Sequence, residues 1–373
     1  MSAKRVLLLY ISEISGHRSA ALAIERALKI AEPSTEILCL NAFRYTNPFS
    51  ERIVNRIYSA VIQKTPAVWE FLYDNQKVIK RLDNFKKRIN KHNSPKLKKI
   101  FDKFKPDIVV CSQAYPCGMA AGYKKIYGSS IPLVGILTDY VPHSFWLYDE
   151  VDYYIVPAPE VGERLQKKGV PAHKIKPLGI PIDPKFNEPV DKGKVLQKMN
   201  LLPGVKNILI MGGGQGLGPI KTIIDSLKKV KTDFQALVVT GINKKLYNSL
   251  SKSVRDYKKS FLVLGYVNNI NELMSISDII VSKPGGITTS EALAKRLPMV
   301  IIKPIPGQEE NNTVYLTGKN AAVKLDDPRE AGRVIEELLL NRDALARIRA
   351  SAGAIGKPNS GMDIAKFVLK AAT

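Results

Sequence analysis

The sequence predicts an α/β protein built from two doubly wound, Rossmann-like domains. Three observations lead there. Short β-branched runs alternate with amphipathic helical stretches along most of the chain. The alternation is broken once, at Gly179-Ile180-Pro181-Ile182-Asp183-Pro184, where two prolines exclude helix, and then restarts. With 373 residues the chain is also longer than one domain usually is.

In order, residues 5–10 read as a buried strand, 17–31 as an amphipathic helix and 36–40 as a second strand. Residues 48–64 and 67–90 read as helices. The runs 107–111, 133–137 and 153–156 have the continuous apolar character of parallel-sheet strands. A helix over 159–168 and an extended 174–178 complete the first series. The second comprises strands at 207–211, 235–240, 261–264, 278–281 and 299–302, with helices at 220–229, 244–253, 270–275 and 288–294. Helices dominate from 327 onward, and a last one over 361–372 is expected to pack back on the first domain. The predicted domains are 1–178, 179–356 and the terminal segment 357–373. Two such sheets would place their strand C-terminal ends at a shared cleft, where these folds bind ligands.

The formal charge is +23, from 57 Lys and Arg against 34 Asp and Glu, a field that attracts nucleic acid, anionic lipid or phosphorylated small molecules. Residues 77–105 hold twelve cations, opposed only by Asp83 and Asp102. Lys86, Lys87, Arg88 and Lys91 are therefore candidate contacts to an anionic membrane, the alternative being a solvated helix face. No zinc-finger spacing or aromatic RNA-binding pattern supports nucleic acid as a partner. Cys39, Cys111 and Cys117 form no CxxC pair, which fits buried thiols and argues against structural zinc. No run approaches the length a membrane-crossing helix needs, so if the protein works on lipid it does so from the surface; the expected location is the cytoplasmic face of a membrane.

Three turns carry the chemistry. Gly212, Gly213 and Gly214 follow a strand and precede a helix, allowing close backbone approach to a phosphate. Neither the dinucleotide spacing nor a Walker A loop is satisfied, so a tight turn remains the alternative. The second turn is Ser282-Lys283-Pro284-Gly285-Gly286-Ile287-Thr288-Thr289-Ser290-Glu291. Here Thr288 or Thr289 is expected to cap the following helix, whose N-terminus favours an anion; Lys283 would add a full charge. Glu291, expected on the first helical turn, suits ribose hydroxyls or simply complements the dipole. Pro304 to Asn312 again turns sharply after a strand, and Gln308, Glu309 and Asn312 supply donors and acceptors matched to sugar hydroxyls.

With these turns, Ser15-Gly16-His17, Leu137-Thr138-Asp139 with His143 and Trp146, Leu178 to Pro181, and Leu264-Gly265-Tyr266-Val267, the sequence resembles the diacylglycerol β-glycosyltransferases. That family includes the bacterial processive diacylglycerol glucosyltransferases and the plant monogalactosyldiacylglycerol synthases. The resemblance runs in order from the first strand to about Ala322. It implies a GT-B fold and inverting, metal-independent transfer of glucose or galactose from a UDP-sugar to diacylglycerol or a glycosyl-diacylglycerol. No cofactor is implied. Gly212, Gly213, Gly214, Lys283, Gly285, Gly286 and Thr288 would face the diphosphate. Tyr266 and Val267 would meet uracil, Glu291 ribose, and Gln308, Glu309 and Asn312 the donor sugar. His17 would be the base or an essential positioning group, with Asp139 orienting a histidine or binding acceptor. His143 and Trp146 would lie on the acceptor side, Trp146 as a wall of that site.

One departure stands out. The family commonly has glycine-rich sequence before the first histidine, whereas this chain reads Glu13-Ile14-Ser15-Gly16-His17. A different acceptor or loop geometry is therefore expected. Two competing readings use the same fold: a UDP-N-acetylglucosamine 2-epimerase, and a non-catalytic UDP-sugar-binding protein.

Overall fold

The computed structural model describes residues 3–46 and 93–372. The expected helices over 48–64 and 67–90, with Lys86, Lys87, Arg88 and Lys91, lie outside the described residues. The chain divides into two units. Unit 1 is Met1–Pro184 with Ile305–Gln308 and Asn359–Thr373, and unit 2 is Lys185–Pro304 with Glu309–Pro358.

Unit 1 contains a six-stranded sheet of β1 (Arg5–Tyr10), β2 (Glu36–Asn41), β3 (Ile108–Cys111), β4 (Leu133–Ile136), β5 (Tyr153–Ile155) and β6 (Ile175–Lys176). The order is β2-β1-β3-β4-β5-β6, and every pairing is parallel. The chain thus winds outward from β1 in one direction, then returns and winds in the other. The direction reverses between β1 and β3. Val6, Leu8, Ile108, Val110, Val134 and Ile136 form the buried face against Ile24, Ala27 and Leu28 of the helix Gly16–Ala31.

The terminal helix Ser360–Ala371 belongs to this core. Its Ile364, Ala365 and Val368 are fully buried in the same cluster. Burying the isoleucine and valine stabilises unit 1 by about 1.5–3 kcal/mol each. Close approach at its first turn depends on Gly361, where an added Cβ would fall 2.3 Å from the Ile182 carbonyl oxygen. Ser360 Oγ donates to Ile180 O at 2.7 Å, and Lys4 Nζ donates to Ala372 O at 3.0 Å near the other end.

Unit 2 repeats the plan with β7 (Lys206–Met211), β8 (Phe234–Val239), β9 (Ser260–Leu264), β10 (Ile279–Ser282), β11 (Met299–Ile302) and β12 (Ala322–Leu325). The order is β12-β11-β10-β7-β8-β9, again all parallel. Its reversal lies between β7 and β10.

The short helices Ala42–Thr46, Lys98–Phe104 and Lys192–Lys198 escape the sequence reading, and so do a longer helix and a strand. The helix Ala114–Tyr127 buries eight of its residues around most of its circumference and carries Pro116 and Gly118, so it lacks an amphipathic stripe. Pro116 is tolerated because it falls in the first turn, which Gln113 caps by accepting from Tyr115 N at 2.6 Å. Strand β12 is only four residues long and has an exposed Lys324.

Candidate active site

In a parallel sheet of this kind the reversal point is where the loops after two neighbouring strands diverge and leave a crevice. Each unit places predicted site residues there.

In unit 2 the loop after β7 contains Gly212, Gly213 and Gly214, and the one after β10 contains Lys283 to Gly285. These are the two loops at the reversal. The first is a built structure. Leu217 N donates to Gly212 O at 2.9 Å, Gly216 N to Gly213 O at 3.0 Å, and Ile242 N to Gly214 O at 3.0 Å. The last bond ties the loop to the one after β8. Gly216 is the joint: its φ is +60°, and an added Cβ would lie 2.0 Å from the Thr240 carbonyl oxygen. A left-handed L-residue costs about 1–2 kcal/mol before any clash. Gly216→Ala is therefore expected to lower the thermal midpoint by about 5 °C or more, measured by calorimetric melting; an unchanged midpoint would show that the loop is not locked.

At the second turn the structure corrects the capping expectation. The helix begins at Gly286 with Gly285 as N-cap and no side-chain cap bond. Thr288 and Thr289 lie inside the helix, and the buried Thr289 Oγ1 has no hydrogen-bond partner among the described residues. The first-turn N–H groups of Gly286, Ile287 and Thr288 thus have no hydroxyl competing for them. Since the helix starts this early, Glu291 sits on its second turn rather than its first.

Lys283 is not a lone cation. Its Nζ lies 3.1 Å from Glu309 Oε1, with the two side chains only 14% and 15% exposed. The pair presents little net charge, which corrects the expectation of a full positive charge for an anion. Asn312 is corrected too. It is 0% exposed, and its Nδ2 donates to Pro284 O at 3.0 Å. Its amide braces the Pro284–Gly285 turn from beneath. Tyr266, in the loop after β9, is 61% exposed, with Val267 beside it in sequence.

In unit 1, His17 lies in the first turn of Gly16–Ala31, immediately after the loop that leaves β1. The loop is ordered without the family's glycines. Ser15 caps the helix, its Oγ accepting from Arg18 N at 3.2 Å and donating to Ser12 O at 2.9 Å. Ser12 takes the one positive φ in the loop, at 62°. Glu13 is a hub: Arg18 Nε lies 3.2 Å from its Oε2, and Asn41 Nδ2 donates to Oε1 at 3.2 Å. Ile14 is left exposed.

The imidazole is held from the far side of the reversal. His17 Nδ1 is 3.0 Å from Ser112 O, just beyond β3, and 3.2 Å from Thr138 Oγ1, just beyond β4. A carbonyl only accepts, so Nδ1 carries the proton and Nε2 keeps its lone pair. Desolvation lowers the His17 pKa to about 4, outweighing the Ser112 bond, which acts to raise it. The N-terminal position on a helix acts in the same lowering direction. His17 is neutral at pH 7. A neutral imidazole with an unprotonated Nε2 is a proton acceptor.

Neither ring partner was singled out from the sequence. Ser112 carries no motif; its part depends on β3 lying beside β1. Thr138 stands next to Asp139, on which the expectation of an orienting group falls. Asp139 Oδ2 instead accepts from Gln308 Nε2 at 3.3 Å, within unit 1. His143 lies in an aromatic group, its ring centroid 5.8 Å from Phe145 and 6.2 Å from Trp146. Trp146 is corrected from site wall to core: it is 4% exposed and packs where a Cβ at Gly135 would sit 3.4 Å from its ring. Among the described residues no group of three or more His, Cys, Asp or Glu could hold a metal ion, and no helix is long and apolar enough to cross a membrane.

Comparison with known proteins agrees with this division. Residues 17–182 match the model of monogalactosyldiacylglycerol (MGDG) synthase, and residues 207–357 match the glycosyltransferase family 28 C-terminal domain. Among solved structures, MurG of Acinetobacter baumannii aligns with a TM-score of 0.65 at 15% identity, covering 98% of this chain and 99% of that one. The UDP-GlcNAc 2-epimerase of Neisseria meningitidis aligns with a TM-score of 0.60 at 15% identity, covering 98% and 100%. At such identities the likeness shows the fold, which is GT-B. The sequence relatives are nearer. The processive diacylglycerol β-glucosyltransferase of Bacillus subtilis (strain 168) is 31% identical over 98% of this chain and 95% of its own. The enzyme of the same name from Bacillus cereus (strain G9842) is 31% identical over 98% and 93%. With that identity sustained through both units, the chain belongs to the processive diacylglycerol β-glucosyltransferase family.

Proposed function

We propose that the chain is an inverting, metal-independent hexosyltransferase that moves glucose from UDP-glucose to diacylglycerol or a glycosyl-diacylglycerol. It works from the cytoplasmic face of a membrane as a peripheral protein. The observation that carries this reading is the 31% identity over 98% of the chain to enzymes named for that reaction. Glucose is preferred to galactose on the same ground. The twelve cations of residues 77–105 favour an anionic membrane surface.

The chemistry is a single displacement. His17 Nε2 takes the proton from the acceptor hydroxyl as its oxygen bonds to the anomeric carbon. The bond from that carbon to the diphosphate oxygen breaks, and UDP leaves with the electron pair. Its growing charge is met by backbone N–H groups of the Gly212–Gly213–Gly214 loop and of the helix starting at Gly286, with no metal required. The backbone at Tyr266 and Val267 holds uracil, and Glu291 holds ribose. Gln308 and Glu309 hold the sugar, Glu309 being oriented by Lys283. Gly285 leaves room at the phosphate, and Asp139 and His143 serve the acceptor. The buried Asn312 and Trp146 act on these groups only through the backbone and core they support.

Vesicles containing diacylglycerol, supplied with UDP-glucose or UDP-galactose and read by mass spectrometry, test the reading. A β-hexosyl lipid from UDP-glucose is expected. Its absence with both donors would overturn the proposal. Isomerised UDP-N-acetylglucosamine in the absence of lipid would replace it with the epimerase reading.

A further inference from the structure

Ser112 and Thr138 surround His17 more completely than packing requires. Ser112 bonds it twice: its carbonyl oxygen lies 3.0 Å from His17 Nδ1, and its Oγ donates to the His17 carbonyl at 2.8 Å. Thr138 Oγ1 stands 3.2 Å from the same Nδ1. Both residues are buried. Both are placed by the sheet rather than by flexible loops. Ser112 N donates to Leu9 O at 3.1 Å, extending the β1–β3 pairing by one residue. Leu137 N donates to Ile155 O at 2.9 Å, extending β4 up to Thr138.

We infer that Ser112 and Thr138 are positioning residues: the Ser112 carbonyl fixes the Nδ1–H tautomer of His17, and Thr138 helps to hold the ring so that its Nε2 lone pair is aimed for proton abstraction. Donors and acceptors around the ring decide the tautomer. Were Nδ1 unprotonated, its lone pair would face the Ser112 carbonyl oxygen at hydrogen-bond distance, a repulsive contact in a desolvated place. With Nδ1 protonated, the carbonyl accepts, and the threonine hydroxyl accepts a second share of the same proton. The Ser112 hydroxyl, bonded to the His17 backbone, keeps its own carbonyl in line with the ring. The ends of β3 and β4 therefore converge on one imidazole. A carboxylate behind the ring would give the same tautomer, but would also raise its basicity by charge. The neutral latch selects the tautomer without doing so.

This inference rests on His17 being the base, and its test separates the two. The full chain labelled with 15N-histidine is examined by NMR at pH 7 without substrate. His17 is expected to show a protonated, pyrrole-type Nδ1 and a pyridine-type Nε2. In Thr138→Val the Nδ1–H tautomer should persist, because the Ser112 carbonyl still accepts, but the ring loses its second restraint. Its kcat in the lipid transfer assay should fall on the order of ten-fold with KM for the donor unchanged, the scale of a mispositioned catalytic group. Thr138→Ser should restore the rate. Ser112→Ala, which unties the carbonyl from the His17 backbone, should let a second tautomer appear and lower kcat in the same direction. A wild-type ring protonated on Nε2 would overturn the latch and leave the transfer reaction itself untouched. A Thr138→Val protein with the wild-type kcat, or a Ser112→Ala protein with the wild-type spectrum and kcat, would overturn it as well.

Discussion

His17→Ala is expected to lower kcat for hexosyl transfer by about 10²–10⁴-fold, the usual contribution of a positioned proton acceptor. KM for the donor should change little, because the groups assigned to UDP lie in unit 2. Radiolabelled transfer to vesicles measures both. A rate loss below about three-fold would remove His17 from the chemistry, since it falls well short of the general-base range.

The pH behaviour gives an independent check. With its pKa lowered to about 4 by desolvation, folded His17 stays neutral where an ordinary histidine is half protonated, near 6.5. The acid limb of kcat/KM that belongs to this group should therefore fall below pH 5, not between 6 and 7. Stability follows in sign. Between pH 6.5 and 4 the unfolded chain takes up a proton on this histidine that the folded chain refuses. The stability present above pH 6.5 is lost as pH falls through that window, up to about 3 kcal/mol by pH 4. His17→Ala should abolish this part of the acid sensitivity, as read by denaturant midpoints across the window.

Glu309→Gln is expected to destabilise unit 2 by about 1–3 kcal/mol, by leaving the largely withdrawn Lys283 without its partner. The pair lies 3.1 Å apart with both side chains largely withdrawn from solvent, so neither charge can be screened cheaply by water. Removing both charges, as in Lys283→Gln with Glu309→Gln, should recover most of the loss, because a buried pair gains little net energy over a neutral replacement. Urea midpoints of the four proteins of that cycle give the coupling. A single-variant cost below about 1 kcal/mol would place the pair among solvated surface contacts.

How much was legible in the sequence differs between strands and sites. Runs such as Arg5–Tyr10 and Met299–Ile302 are read to the residue, because a strand buried on both faces is apolar throughout and its ends are marked by polar or turn residues. The helix Ala114–Tyr127 is missed for the same reason in reverse: buried nearly all round, it shows no period to detect. The glycine turns are legible as turns. What they do with neighbouring side chains is not, because that depends on which strands adjoin. Asn312 has the composition of a sugar ligand, yet it is spent on Pro284 O. Thr289 has the composition of a cap, yet Gly285 starts the helix before it. Ser112 has no signal at all until β3 is known to lie against β1, since strand order is absent from a pattern of alternation.

The proposed transfer requires that unit 2 grip a uridine diphosphate through the loops at its β7–β10 reversal. Titration calorimetry of UDP into the full chain tests this most directly. A single saturable site per chain is expected, weakened at least about ten-fold in Gly216→Ala, where the loop must shift away from Thr240. No heat with the wild-type chain, or equal affinity in the variant, would contradict it.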